Sequence, residues 1–264
     1  MSFRFCTLAS GSEGNVGFME LGSVRLLVDA GLSYKALSAL LKELEVEEDS
    51  IDALLLTHEH RDHTLGLPVL LKKLDIPVYL TRGTFEGLAA QKLFERVPKA
   101  RFQLIPSGGS FSVAGVKVTA IPISHDANEP VAYRVDGEEA HLAVVTDLGC
   151  FDERLIGQLQ GLNALVLEAN HNRQMLETGP YPYPLKLRIE SDKGHLSNET
   201  AASLLDQILH PGLEAVILGH LSRVNNYPLL ALKTVQAAIR QTGSAGRIRI
   251  AAAPPKGLSE LVTQ

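Results

Sequence analysis

The sequence has no tryptophan and only two cysteines in 264 residues. Cys6 and Cys150 are too few for a disulfide framework and sit in or beside apolar runs, so they read as free thiols of a chain in a reducing cytoplasm. Aromatic residues make up 5% of the chain, a sparse supply for stacking against nucleobases. No apolar run approaches the roughly 20 residues that a membrane span requires, so no membrane partner is expected. Residues 1–10 lack the basic region, long apolar run and cleavage site of a secretory signal. Low-complexity tracts, linkers and internal repeats are also missing, which excludes disordered and solenoid classes. The formal net charge of −5 announces no general polyanion-binding surface. Two divalent cations at an acidic site would offset most of that charge, so net charge does not decide whether a substrate is anionic.

The chain is rich in short apolar runs punctuated by turns. Hydrophobic residues make up 45% of it, enough for a substantial core. Residues 3–7, 17–21 and 24–29 read as strands broken by Gly11, Gly14 and Gly22. Helical spacing over 34–44 precedes a strand at 51–56, then a helix over 67–74, a strand at 78–81 and a helix over 84–94. The middle is β-rich, with strands expected at 102–105, 116–123, 132–135 and 142–146. Strands at 164–168, 215–218 and 247–251 then alternate with helices at 198–209 and 229–241. Strands interleaved with helices that must cover outer faces predict two packed sheets with helices outside both. The expectation is a single α/β domain over 1–264, a four-layer αββα sandwich.

One heptapeptide concentrates the chemistry. Thr57-His58-Glu59-His60-Arg61-Asp62-His63 packs three imidazoles and two carboxylates behind the apolar run Ala53-Leu54-Leu55-Leu56. Neutral imidazole is a common metal ligand, and a carboxylate can complete or bridge a cation site. A strand feeding directly into such a cluster sets the donors on the loop at a sheet edge. Three further apolar runs end the same way: 118–123 before His125, 142–146 before Asp147, and 215–218 before His220. The simplest assignment gives His58, His60 and His125 to one cation and Asp62, His63 and His220 to a second, with Asp147 as the bridge. His58 and His60 are two residues apart and point the same way in an extended segment, whereas Asp62 and His63 diverge from that pair.

This His-x-His-x-Asp-His motif, followed in order by His125, Asp147 and His220, resembles the metallo-β-lactamase superfamily over nearly the whole chain. Asp29 in Leu27-Val28-Asp29-Ala30-Gly31 resembles that superfamily's Asp-x-Gly element, whose aspartate supports the metal loop; read alone, it is an ordinary turn residue. His60 stands where the di-iron flavoproteins have Glu, and Asp147 where true β-lactamases have Cys or Ser. Asp147 and His220 are too close in sequence to hold the β-CASP insert of the long nucleases. Ala9-Ser10-Gly11-Ser12-Glu13-Gly14-Asn15, Glu168-Ala169-Asn170-His171, the segment from Tyr181 to Arg188 and Gly194-His195-Leu196-Ser197-Asn198 resemble the YycJ-like (WalJ-like) group. That resemblance implies a 5′-to-3′ exonuclease acting on DNA before RNA, with two divalent ions, Zn²⁺ or Mn²⁺. The Glu168 and His195 elements also resemble those of the transfer-RNA 3′-processing branch, which implies that both residues lie near the scissile phosphate.

Such a metal pair would lower the pKa of a water and stabilise the charge of the transition state. Asp62 is the expected proton acceptor, and His195 is expected to contact the phosphate or protonate the leaving oxygen, its alternatives being capping or core packing. Lys186 and Arg188, with Lys193 and Arg223, are expected to form a phosphate-gripping rim. The Gly-rich segment 10–15 reads as a tight turn beside the active-site mouth. Two other functions remain open from the residues: a small-molecule hydrolase of a thioester, lactone or cyclic phosphodiester, and a non-enzymatic metal-binding module.

Overall fold

The structure, a computed structural model, describes residues 3–95, 97, 101–241 and 248–263. Strands β1 (Phe3–Ala9), β2 (Val16–Leu21), β3 (Val24–Val28), β4 (Ala53–Leu55), β5 (Val78–Thr81) and β6 (Phe102–Ile105) build one sheet. Strands β7 (Ser110–Val113), β8 (Val116–Pro122), β9 (Val131–Asp136), β10 (His141–Val145), β11 (Ala164–Glu168), β12 (Ala215–Gly219) and β13 (Arg249–Ala252) build the other. A final β14 (Val262–Thr263) returns to pair with β1, so the orders are β14-β1-β2-β3-β4-β5-β6 and β13-β12-β11-β10-β9-β8-β7. Helices α1 (Tyr34–Glu43), α2 (Arg61–Thr64), α3 (Leu67–Lys73) and α4 (Arg82–Ala90) belong to the first half. Helices α5 (Glu153–Gln158), α6 (Arg173–Thr178), α7 (Tyr183–Glu190), α8 (Asn198–Ile208) and α9 (Pro228–Gln241) belong to the second.

The central strands read as apolar runs because both of their faces are covered. Phe3, Phe5, Leu26 and Val28 meet Val118, Ala120, Tyr133 and Val166 between the sheets. On the outer face of the first sheet, Cys6, Leu8 and Leu54 pack against Leu37 and Leu41 of α1 and Leu67 and Leu70 of α3. On the outer face of the second, Leu165, Leu167 and Leu218 pack against Leu204 and Leu205 of α8 and Val235 of α9. Each fully buried Leu or Phe side chain contributes about 1.5–3 kcal/mol, so these three clusters dominate the favourable side of folding. The four-layer αββα sandwich expected from the sequence is the observed architecture.

Strand polarity positions the site. β3 and β4 run parallel, as do β10, β11 and β12, so the loops that leave them emerge at common edges. Some elements differ from the pattern reading. The helix expected over 84–94 starts earlier, at Arg82, because the Thr81 side chain caps it by accepting from the Thr84 N–H at 3.3 Å. It ends at Ala90 and is followed by a short 3₁₀ turn, Leu93–Glu95. β7, β14 and the helices α2, α5, α6 and α7 add to the expected set; most are too short to show a full hydrophobic period. Arg247, placed at the start of the last expected strand, lies outside the described residues.

The two sheets are also joined by polar contacts just behind the His58 loop. The Tyr133 hydroxyl, fully buried on β9, donates to the Leu56 carbonyl at 2.9 Å, and the Val131 N–H donates to the Thr57 carbonyl at 3.1 Å. Tyr133→Phe removes the hydroxyl while keeping the ring. It is expected to lower stability by about 1–2 kcal/mol, read as a lower urea midpoint at constant m-value. An unchanged midpoint would show that the hydroxyl contributes nothing to holding the sheets together.

Candidate metal centre

The donor loop is held by a buried carboxylate from the neighbouring strand end. Asp29 follows β3 and accepts hydrogen bonds from the Thr57 N–H and hydroxyl, each at 2.9 Å, and from His63 Nδ1 at 2.7 Å. Gly31 lets this turn approach closely, since a Cβ there would lie 1.8 Å from the Asp62 carbonyl. Across the gap the Asn15 N–H donates to that same carbonyl at 2.8 Å, and the Ala30 N–H donates to the His63 carbonyl at 2.8 Å. With Nδ1 committed to Asp29, Nε2 of His63 lies 3.2 Å from Asp147 and 3.5 Å from Asp62. Glu59, the other carboxylate of the motif, faces away and accepts from the Asn128 N–H at 2.9 Å, steadying the loop that carries His125.

A second buried carboxylate does the same from the other sheet. Glu168, the last residue of β11, is fully buried. Its Oε1 accepts from Nδ1 of both His195 and His220 at 2.9 Å, and its Oε2 accepts from the backbone N–H groups of Leu196 and Leu148 at 3.0 and 3.2 Å. Ser10 supports the neighbouring backbone by accepting from the His220 N–H at 2.8 Å, and the Asn170 amide donates to the His220 carbonyl at 2.9 Å. Asp29, Asp147 and His220 all take left-handed backbone angles, with φ of 65°, 60° and 53°. Non-glycine residues visit that region at a cost, so three such residues at three strand ends mark sites where direction outweighs comfort.

Donor atoms gather into overlapping groups within 4.8 Å: His58, His60 and His125; Asp62, His63 and His220; and His58, His63 and Asp147. A further group joins Asp147, Glu168, His195 and His220. The first two groups are the sets expected from the sequence, and Asp147 lies between them. His58 Nε2, His220 Nε2 and Asp147 Oδ2 are buried with no hydrogen-bond partner. Leaving such atoms unpaired costs about 1–3 kcal/mol each, and converging cations would supply the missing partners. The residues therefore fit a pair of divalent metal ions.

The buried histidines differ in charge. Burial, together with the charge on His63, drives the His58 pKa well below its ordinary range, leaving the neutral imidazole that ligates metal. Burial also opposes charge on His63, but the Asp29 and Asp147 carboxylates override it and lift its pKa. His220 is likewise penalised by burial yet raised to about 10, chiefly by Asp147, with the nearby Asp62 carboxylate and the hydrogen bond to Glu168 adding to it. Burial would raise Asp62, but the adjacent His220 and His63 imidazoles hold its carboxyl well below the usual range. Glu168 is held at about 2 by His195 and His220 against its own burial.

Other expected site residues fall in different places. Glu168, expected against the substrate, is wholly buried beneath His195 and His220, where its carboxylate accepts from both imidazoles. His195 neither caps a helix nor fills the core, because Ser197 caps α8 and the His195 side chain, 21% exposed, lines the cavity in front of the donors. Arg188 lines the same cavity and is held by Asp126. Lys186, two residues earlier, turns away, donating to the Glu177 carbonyl at 2.6 Å. Arg223 lines the mouth but pairs with Glu13. Asn15 and Ser10 were legible only as turn residues, yet Asn15 donates to Asp62 at 3.2 Å and Ser10 steadies His220.

A family model for the beta-lactamase superfamily domain matches residues 24–220. The chain is 38% identical to "Exodeoxyribonuclease YycJ" of Bacillus anthracis, covering 92% of this chain and 91% of that protein. It is 34% identical to "Exodeoxyribonuclease WalJ" of Streptococcus pneumoniae serotype 2, strain D39, covering 91% and 90% respectively. Among solved structures, the metallo-beta-lactamase fold protein YhfI of Bacillus subtilis superposes with a TM-score of 0.70 at 16% identity, covering 100% of this chain and 99% of that one.

The Glu168 carboxylate makes a test that needs no metal. Burial depresses His195, whereas Glu168 lifts it above the ordinary histidine value. Glu168→Gln keeps the shape and removes the charge. An NMR titration of the metal-free protein should then show the His195 pKa falling relative to wild type. An unmoved His195 pKa would show that Glu168 does not set its charge.

Proposed function

The chain belongs to the metallo-β-lactamase superfamily of metal-dependent hydrolases, and from that membership we propose that it is a dinuclear phosphodiesterase, a 5′-to-3′ exonuclease acting on DNA. The observation that carries this reading is its likeness, over nine-tenths of its length, to proteins named exodeoxyribonucleases. In the proposal, His58, His60 and His125 hold one ion, Asp62, His63 and His220 the other, and Asp147 lies between them. Five imidazoles with two carboxylates suit Zn²⁺ or Mn²⁺. Two bound divalent ions would lower the pKa of an attacking water and stabilise the charge that develops on the phosphoryl oxygens.

The protein's own residues do the rest. Asp62, kept ionised by His63 and His220, orients the nucleophile and accepts its proton. His195 has Nδ1 fixed on Glu168 and a raised pKa, so its other ring nitrogen carries a proton into the cavity for the phosphate or the leaving oxygen. Arg188, positioned by Asp126, offers a guanidinium to the phosphate backbone. We place the activity in the cytoplasm, in keeping with the free Cys6 and Cys150. No helix among the described residues is long and apolar enough to cross a membrane.

The test uses metal-reconstituted protein with end-labelled single- and double-stranded DNA, RNA and an acyl thioester. The proposal expects mononucleotides released from the 5′ end of DNA, loss of activity in EDTA, and recovery with Zn²⁺ or Mn²⁺. Asp62→Ala should lower kcat by about 10²–10⁴-fold. Turnover of the thioester alone would overturn the nuclease reading, and cleavage undiminished in Asp62→Ala would overturn the role given to that residue.

A further inference from the structure

The cavity beside His195 and His220 is lined by two unlike kinds of residue. It measures about 380 Å³, within the roughly 300–1,000 Å³ of pockets that hold small organic ligands. Its polar lining includes His195, His220, Arg188 and Asp126, and its apolar lining Tyr181, Leu185, Ile189 and Val224. Leu185 and Ile189 are four residues apart on α7 and so share one face of that helix. None of the residues of α7 is buried, so this helix contributes nothing to the core. A helix that lines a cavity without filling the core is explained by what it presents to the cavity.

The rim is preorganised. The Asn172 N–H donates to the Asn225 carbonyl at 2.9 Å, tying the start of α6 to the loop that carries Val224. Within that loop the Ser222 hydroxyl accepts from the Asn225 N–H at 3.1 Å. An occupant matched to this lining brings negative charge for the imidazoles and the guanidinium and a flat apolar face for the tyrosine. A nucleotide has both, with Ser12, Asn170 and Ser222 along the cavity to meet polar base edges.

We propose that Tyr181, with Leu185, Ile189 and Val224, forms a platform for the nucleobase beside the scissile phosphate, an inference that rests on the nuclease reading above. Stacking on one aromatic ring accepts any base, so the site would select for an unstacked nucleotide and be indifferent to sequence. The charge that holds the phosphate and the ring that holds the base would then be separate determinants of binding.

The experiment compares single-stranded oligonucleotides that differ only by an abasic residue at the terminal or penultimate position. Mn²⁺-loaded protein is assayed for kcat and KM, and the same oligonucleotides are titrated by fluorescence anisotropy in EDTA. The wild type should show a KM about tenfold higher for an abasic end, with kcat changed less, and correspondingly weaker binding in EDTA. Tyr181→Ala should erase the difference between base-bearing and abasic ends, and Tyr181→Phe should retain it. Equal KM and equal binding for both ends in the wild type would overturn the platform while leaving the nuclease reading in place. Cleavage of neither oligonucleotide by a protein that hydrolyses a thioester would overturn both.

Discussion

Buried carboxylates aimed at imidazoles are the interaction on which the rest of this molecule depends. Asp29 holds Thr57 and His63 from one sheet, and Glu168 holds His195 and His220 from the other. Each commits one ring nitrogen as a donor and so leaves the other free toward the centre of the cluster. Without them the imidazoles could rotate, and an orphaned nitrogen such as that of His220 would have no reason to face the cluster. The desolvation cost of two interior carboxylates is large and is met only because every oxygen finds a donor. That balance explains why the supporting network extends to backbone amides such as Leu148 and Leu196.

The architecture explains why donors arrive from four places. Parallel strands deliver their exits to common edges, and two such sheets packed face to face bring the edges together. Strand direction alone does not aim a side chain across that gap. The left-handed angles at Asp29, Asp147 and His220 turn the chain sharply as it leaves β3, β10 and β12. Such angles cost of order 1–3 kcal/mol each and persist only where the surroundings over-determine them. Here the surroundings are the largely buried strands immediately before each turn.

How much of this was legible in the sequence follows from the range of each signal. The donor set was readable because apolar runs announce strands and the residue after each run is fixed by position alone, as at His58, Asp147 and His220. Depth was not readable. Glu168 looked like a substrate contact because nothing in its neighbours says that it ends a strand buried on both faces. Lys186 and Arg188 looked equivalent until α7 existed to turn one toward Glu177 and the other toward Asp126. That helix was invisible because it begins among prolines and buries no residue, so it has no apolar stripe to detect. Asn15 carried no signal beyond a turn, because its role depends on an approach to Asp62 across 47 positions of chain.

Because the donors are divided between sheets, the inter-sheet core belongs to the functional apparatus. His58, His60, Asp62 and His63 leave the first sheet, whereas His125, Asp147 and His220 leave the second. Their separation is set by how Phe5, Leu26, Tyr133 and Val166 fill the space between the layers, and by the Tyr133 hydroxyl reaching the Leu56 carbonyl two residues before His58. A change in core volume would displace one set of donors against the other without touching any of them. A close-packed interior transmits such a shift instead of absorbing it. The site is thus as rigid as the sandwich, while the cavity in front of it is walled by α7, which the core does not hold. The core thus fixes the donors, while a helix outside the core, tied by Lys186 to Glu177 and by Arg188 to Asp126, shapes the wall in front of them.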